Sequence, residues 1–551
     1  MKRWALGLSV GAALFLHLAT PSLSADKGGL GSARFQLVEA TVPQMLKAMQ
    51  TRLITAEQLV GMYLARIAAY DDAGPAVNAF IHVNADALAE ARQNDLHRRP
   101  GLPRRPLEGI PVLLKDNIDT WDMPTTAGAV AMTGSRPPDD AFIARKLREA
   151  GAIILGKATL TEWANFIAIG MPAGFSGLGN YGFNPYDPRP LPGGDGRPVL
   201  TTGGSSSGSG IGVNANLAAL AVGTETSGSI LSPASANGIV GIKPTVGLVS
   251  RDGIIPITAD QDTAGPMTRT VTDAAILLGV IAGYDPADPA TEACLEPGNC
   301  FSDYQRFLDK KALRGARIAV PPFPANRADI MNNAIAVLRA QGAYVETIPA
   351  LSPQLGICVA YPAPDGCSTV LMYGQKRDLN AYLAATPAAP MGTIADVVAF
   401  NAANPDAIKY GQAIFEAANQ LDLSPGSADT ARYLSDLAED RARSRGALDA
   451  VYRGPDGEAG TDDDFDAILF SGNSGAGTPA KAGYPSITVP GGFVPATDPV
   501  VNPFPSGVTF SGPAFSEPRL IGLAFAFEQA TRYRVPPAST PPLPGDVVTR
   551  P

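Results

Sequence analysis

Two stretches crowded with glycine and hydroxyl residues constrain this chain more than any other feature. They are Thr-Gly-Gly-Ser-Ser-Ser-Gly-Ser-Gly at 202–210 and Gly-Thr-Glu-Thr-Ser-Gly-Ser-Ile at 223–230. Glycine admits positive φ and lets a backbone approach a ligand closely. A serine in such a turn presents its Oγ, with neighbouring N–H groups free to hold a developing oxyanion. Residues 211–222 between them are small and apolar throughout, and read as a buried helix running into a short strand. Such a return brings both serine turns to one end of a sheet. The alternative is a pair of flexible Gly/Ser linkers, which leaves the apolar segment between them unexplained.

A nucleophilic serine needs a base, and the usual one is histidine. The chain has three: His17, His82 and His97. His17 falls in an N-terminal export-like segment, His97 in a polar run, and His82 reads as a strand residue. The other route is a lysine kept neutral by desolvation. Lys115 is the candidate, because Gly-Ile-Pro-Val-Leu-Leu at 109–114 would carry it into the core on a buried strand. A strand-end lysine that reaches solvent is the commoner arrangement. To work as a base near neutrality its pKa must fall by about 3, a differential stabilisation of roughly 4–5 kcal/mol.

These residues resemble the amidase signature family. The resemblance rests on Pro-Val-x-x-Lys-Asp-Asn at 111–117, Gly-Gly-Ser-Ser-x-Gly-Ser at 203–209 and Gly-Thr-Glu-x-x-Gly-Ser-Ile at 223–230. Gly-Ile-Lys-Pro-Thr-Val-Gly-Leu-Val-Ser at 241–250 and Asp-Thr-Ala-Gly-Pro-Met-Thr-Arg at 262–269 extend it. It runs from about residue 41 to about 537. It implies an α/β sandwich in which helices cover both faces of a large mixed sheet. It also implies Lys115 as base, Ser205 as a bridging serine preceded by a cis peptide, and Ser229 as nucleophile, 24 residues on. The backbone amides of Thr226, Ser227, Gly228 and Ser229 form the implied oxyanion hole, each donor worth about 3–4 kcal/mol. This chain departs from many relatives at Ser227, where Gly or Asp is common, and at Leu231, where arginine is common. Loss of that arginine removes a carboxylate-binding cation. Glu225 is retained, either paired with a buried group or as an ordinary loop carboxylate.

Residues 1–25 have the basic start, short apolar run and small-residue end of a signal peptide. The apolar run is short for a membrane span, which implies an exported, periplasmic or secreted protein with no stable membrane anchor. A leader at 26–40 precedes the amidase domain at 41–537, and a Pro-rich tail at 538–551 reads as frayed. Length alone allows about three or four domains, although large α/β enzymes also run as one. Within 41–70 two helices are expected, capped by Thr41 and Thr55, with Leu59, Met62, Tyr63 and Ile67 on one apolar stripe. A strand at 78–83, a helix at 85–96, a helix capped by Asp139 or Asp140, and a strand at 152–155 follow. This alternation marks an α/β sandwich. Residues 189–202 lengthen the approach to the first serine turn, either shaping a site entrance or bulging into solvent. Residues 301–440 match the family motifs least and are expected to wall the substrate pocket.

Composition narrows the partners. The chain is 45% hydrophobic with a net charge of −9 and no basic stripe, which argues against nucleic acid and anionic membranes. The acidic run at 454–466 lacks the spacing of a calcium loop and reads as a solvated turn. Cys294, Cys300, Cys358 and Cys367 form two close pairs without a zinc-ribbon spacing. In an exported protein these read as disulfides 294–300 and 358–367, one of three possible connectivities. No metal or cofactor is inferred.

The expected activity is hydrolysis of a carboxamide in a small molecule or peptide, through an acyl-enzyme. A peptide amidase acting on C-terminal amides is the first form, and an aryl acylamidase cleaving anilides the second. A tRNA-dependent amidotransferase A subunit is a different class, against which the export segment and missing basic surface argue. A catalytically dead binding protein is disfavoured by the complete Lys-Ser-Ser set. Hydrophobic acyl groups are expected over charged ones. N-terminal sequencing of native protein should start near Ala25 or Asp26, and thiol titration after denaturation should find no free cysteine. An intact Met1 or four free thiols would refute this.

Overall fold

The computed structural model describes residues 33–98, 104–351, 369–496 and 502–550. Residues 1–25, where a signal peptide is expected, and Cys358 and Cys367 lie outside the described residues.

An eleven-stranded mixed sheet forms the centre. In chain order its strands are β1 (Phe80–Val83), β2 (Pro111–Lys115), β3 (Ile153–Ala158), β4 (Leu220–Glu225), β5 (Val240–Lys243) and β6 (Thr263–Thr268). They continue with β7 (Arg317–Val320), β8 (Tyr344–Thr347), β9 (Ala467–Ser471), β10 (Ser486–Val494) and β11 (Phe504–Ser511). Across the sheet they run β8-β7-β9-β11-β10-β5-β6-β4-β2-β3-β1. Strands β3, β2 and β4 are parallel neighbours, and every residue of each is buried. Strands covered on both faces need near-continuous apolar sequence, which is what 111–114 and 220–222 supply. Strand β3 is longer than the 152–155 expected, because it carries the buried Lys157 and that polar residue masks its continuation.

The helix Ser207–Asn214 lies between the first serine turn and β4. Its sequence is mostly glycine and serine because it is pressed onto the strands. A Cβ at Gly208 would come within 2.4 Å of Ala79 O and 2.5 Å of Thr159 O. Leu113 in β2 blocks a side chain at Gly212 in the same way. The helix then hands the chain to β4, so both serine turns sit at the carboxyl ends of β2 and β4.

The expected caps at Thr41 and Thr55 are present. Each accepts from the amide three residues on, and Gln44 and Gln58 return the bond, completing capping boxes. The cap expected at Asp139 or Asp140 is not present: Ala141 holds that position in Phe142–Glu149 without a side-chain bond. Asp140 instead accepts from Trp121 N and from Arg148 Nε at 2.9 Å, so a partner's charge outweighs the local cap.

Residues 369–452 form a helical layer. Thr369–Ala385, Ile394–Ala403 and Ala413–Gln420 close a second apolar core, where Leu379, Val397 and Phe415 meet Met132, Trp163 and Ile255. The insertion at 189–202 has an exposed tip whose Asp195 accepts from Tyr181 Oη at 3.0 Å and whose Lys409 contact anchors it to the helical layer. The acidic loop at 454–466 spends its carboxylates on its own turns: Asp463 accepts from Asp456 N and Asp464 from Gly460 N. Cys294 and Cys300 are disulfide-bonded.

The tail corrects the expectation of fraying. Val547–Arg550 pairs antiparallel with Ala33–Gln36. Beneath this clasp the buried Arg66 guanidinium meets Asp546 Oδ2 at 2.7 Å and donates to the carbonyls of Ala215, Asn216, Thr540 and Pro541. Five donors so placed give the last turn a fixed seat. Breaking a buried pair from one side leaves an uncompensated charge, so Asp546→Ala should lower stability by about 3–5 kcal/mol in denaturant unfolding. A change under about 1 kcal/mol would show that the clasp is dispensable.

Candidate active site

The end of β2 delivers Lys115 into a fully buried position. Its Nζ lies 2.8 Å from Ser205 Oγ, 2.8 Å from Thr224 Oγ1 and 3.3 Å from Thr224 O. Burial pulls its pKa down to about 7, against the opposing pull of Asp262 and Glu225. Asn117 Nδ2 donates to Thr224 Oγ1 at 3.1 Å, which fixes the threonine between the two. Asp262, pushed up to about 6 by burial, accepts from Thr226 Oγ1 and from the amides of Ile257 and Thr258.

The peptide between Gly204 and Ser205 is cis, as the resemblance implied. Ser206, the next residue, ties the two serine turns together. Its Oγ donates to Thr224 O and accepts from Thr224 N, and its amide donates to Ser229 O at 3.1 Å. The structure thus brings Lys115, Ser205 and the Ser229 turn into one place. Ser229 is 8% exposed, and among the described residues no hydrogen bond engages its hydroxyl. Gly228 before it takes φ of +81°, a left-handed conformation that favours glycine.

Glu225 organises that turn, a role sequence reasoning left open. Its Oε1 accepts from Gly228 N at 2.7 Å, and its Oε2 accepts from Ile230 N at 2.7 Å and Leu231 N at 3.0 Å. This corrects the expected oxyanion set, since the Gly228 amide is already taken. The amides of Thr226, Ser227 and Ser229 are bound by no side chain among the described residues. The only available signal was a carboxylate at the end of an apolar strand, where burial demands several donors. Leu231 is buried in the following helix.

A second buried ion pair stands behind the site. Lys157 Nζ lies 3.5 Å from Asp116 Oδ1 and donates to Thr125 Oγ1 and Pro124 O. Asp116 Oδ2 accepts from the amides of Thr126 and Gly128, and so holds the loop after β2. Desolvation lowers Lys157, which Asp116 opposes. The histidines stay apart: His82 is half-buried on β1 with its pKa lowered by burial, and neither it nor His97 has a contact with Lys115, Ser205 or Ser229. His17 lies outside the described residues. Among the described residues no cluster of His, Cys, Asp or Glu is arranged for a metal ion, and no helix is long and apolar enough to cross a membrane.

Known proteins share this arrangement of chain and fold. The Amidase family model matches residues 58–404. The protein named "Probable amidase" of Arabidopsis thaliana is 39% identical over 521 residues, covering 92% of this chain and 93% of its own. The crystal structure of native peptide amidase from Stenotrophomonas maltophilia is similar with a TM-score of 0.80 and 39% identity, over 91% of this chain and 99% of that one. A glutamyl-tRNA(Gln) amidotransferase subunit from Desulforudis audaxviator is 30% identical over 92% of this chain and 99% of its own. With the family model matching residues 58–404 and relatives alike over nearly its whole length, the chain belongs to the amidase family, and it is an amide-hydrolysing enzyme.

Proposed function

We propose that the chain hydrolyses a carboxamide with Ser229 as nucleophile, Ser205 as proton bridge and Lys115 as base, and that it acts as a peptide amidase after export. The observation that carries this reading is the buried Lys115 Nζ at 2.8 Å from Ser205 Oγ. Neutral Lys115 takes the proton of Ser205 as Ser205 takes that of Ser229. Ser229 Oγ bonds to the amide carbon, and the carbonyl oxygen takes the negative charge beside the amides of Thr226, Ser227 and Ser229. As the C–N bond breaks, the proton returns through Ser205 to the leaving nitrogen. Water then attacks the acyl-enzyme by the same relay and releases the carboxylic acid. The likeness to the S. maltophilia peptide amidase supports a C-terminal amide as substrate, with an anilide as the alternative. The whole-length likeness to an amidotransferase subunit supports a second reading, ammonia transfer to a partner. The net charge of −9 weighs against a tRNA-bound assembly.

A fluorophosphonate probe should label Ser229, located by peptide mapping, and purified protein should release free ammonia from peptide amides without a partner. Ser229→Ala should abolish both. Lys115→Ala and Ser205→Ala should each cost about three orders of magnitude or more in kcat, and together much less than the product of their single effects, because relay members act as a unit. His82→Ala and His97→Ala should stay active. A histidine variant as inactive as Ser229→Ala would overturn the assignment.

The pH dependence gives an independent reading. The base works when neutral, so kcat/KM should rise as pH increases through about 7. Asp262 raises the Lys115 pKa, so Asp262→Asn should move this acidic limb to lower pH. A limb that moved upward, or did not move, would remove Lys115 as the titrating group.

A further inference from the structure

A cavity of about 440 Å³ opens beside the nucleophile turn. Thr224 and Thr226 form part of its wall, so it begins where the Lys115 contact and the 226–229 turn end. The rest of the wall sets six carboxylates, those of Asp119, Asp139, Asp252, Asp262, Asp288 and Asp378, among apolar residues such as Ile254, Ile255 and Ile257. Asp119 is 5% exposed and accepts from Tyr382 Oη at 2.8 Å. Asp139 and Asp252 stand exposed at the mouth, and neither is in an ion pair among the described residues. Burial, with repulsion from Asp285 and Asp139, raises the Asp252 carboxyl. Arg251, the cation of the lining, is neutralised by Asp288, which takes its Nη2 at 2.6 Å and its Nε at 2.8 Å. Asp378 is likewise matched by Arg377 at 2.6 Å.

An independent feature points to what the cavity receives. Asn117 lines it and is 2% exposed. Its Nδ2 donates to Thr224 Oγ1 and Ile255 O, yet its Oδ1 is buried without a donor. A buried acceptor in that state calls for an N–H or O–H from outside the protein. A carboxylate offers none and is repelled by the wall. A hydrocarbon leaves Asn117 unmet. A group that is both cationic and rich in N–H, carried on an alkyl stem, meets Asn117 and the carboxylates while the stem packs on the isoleucines.

We propose that the amide substrate carries an ammonium or guanidinium group on its acyl part, seated in this cavity between Asn117 and the carboxylates. This deepens the amidase reading and rests on it. The expectation of hydrophobic over charged acyl groups then holds against anions alone.

The test compares N-acetyl-lysinamide, N-acetyl-norleucinamide and the α-amide of N-acetyl-glutamic acid. The lysine compound should exceed its neutral isostere about tenfold in kcat/KM, and the glutamate compound should fall below both. The preference should narrow at about 0.5 M salt, since charges at the mouth are screened. Asp139→Asn combined with Asp252→Asn should shrink it severalfold and leave the norleucine compound unchanged. Equal kcat/KM values, or a preference undiminished in the double variant, would overturn the proposal. If none of the three is hydrolysed, the peptide-amide reading fails, and calorimetry with n-butylammonium against n-butyrate still reads the cavity. Tighter ammonium binding that weakens in the double variant supports the proposal, and equal binding of the two ions refutes it.

Discussion

The desolvation of one ammonium group organises the centre of this protein. Lys115 ends a strand covered on both sides, so its charged form is fully buried, with two hydroxyls and a carbonyl as its partners. The cost falls on the charged state, and the amine settles near neutrality. Everything close by serves that condition. Thr224 and Ser205 fix where the nitrogen points, Asn117 fixes Thr224, and Asp262 with Glu225 keeps the pKa from falling further.

The carboxylates around the lysine have a second task, which is to shape backbone. Glu225 gathers three amides from the turn that follows it. Asp116 does the same for the loop after β2 while facing Lys157. In both places a buried acid is stabilised by N–H groups that a tight turn leaves unpaired. Neither turn could form around an apolar residue, and neither acid could remain buried without its turn. The second serine turn is therefore held by Glu225 as well as shaped by its own glycine.

What could be read from the sequence was local. Apolar runs marked β2, β3 and β4, threonines ahead of apolar stripes marked two helix starts, and a spacing of six joined Cys294 to Cys300. The meeting of Lys115 with Ser205 was legible through motif resemblance, because 90 residues of chain separate them. Contacts without a local signature escaped. Arg66 finds Asp546 across 480 positions, Tyr382 reaches Asp119 across 263, and Asp140 forsakes its cap for Arg148. Tyr382, within the variable region from 301 to 440, lines the cavity. The helices of that region could not be placed, since the surface they cover is built from the earlier half of the chain.

The clasp of Ala33–Gln36 with Val547–Arg550 bears on how such a chain is made. An early strand waits for a partner produced some five hundred positions later, so the clasp closes only after nearly all the rest exists. A product cut short before Asp546 keeps Arg66 in a dry seat with no counter-charge. Such a product forgoes the pairing and the counter-charge that hold Arg66, about 3–5 kcal/mol for a buried pair broken from one side.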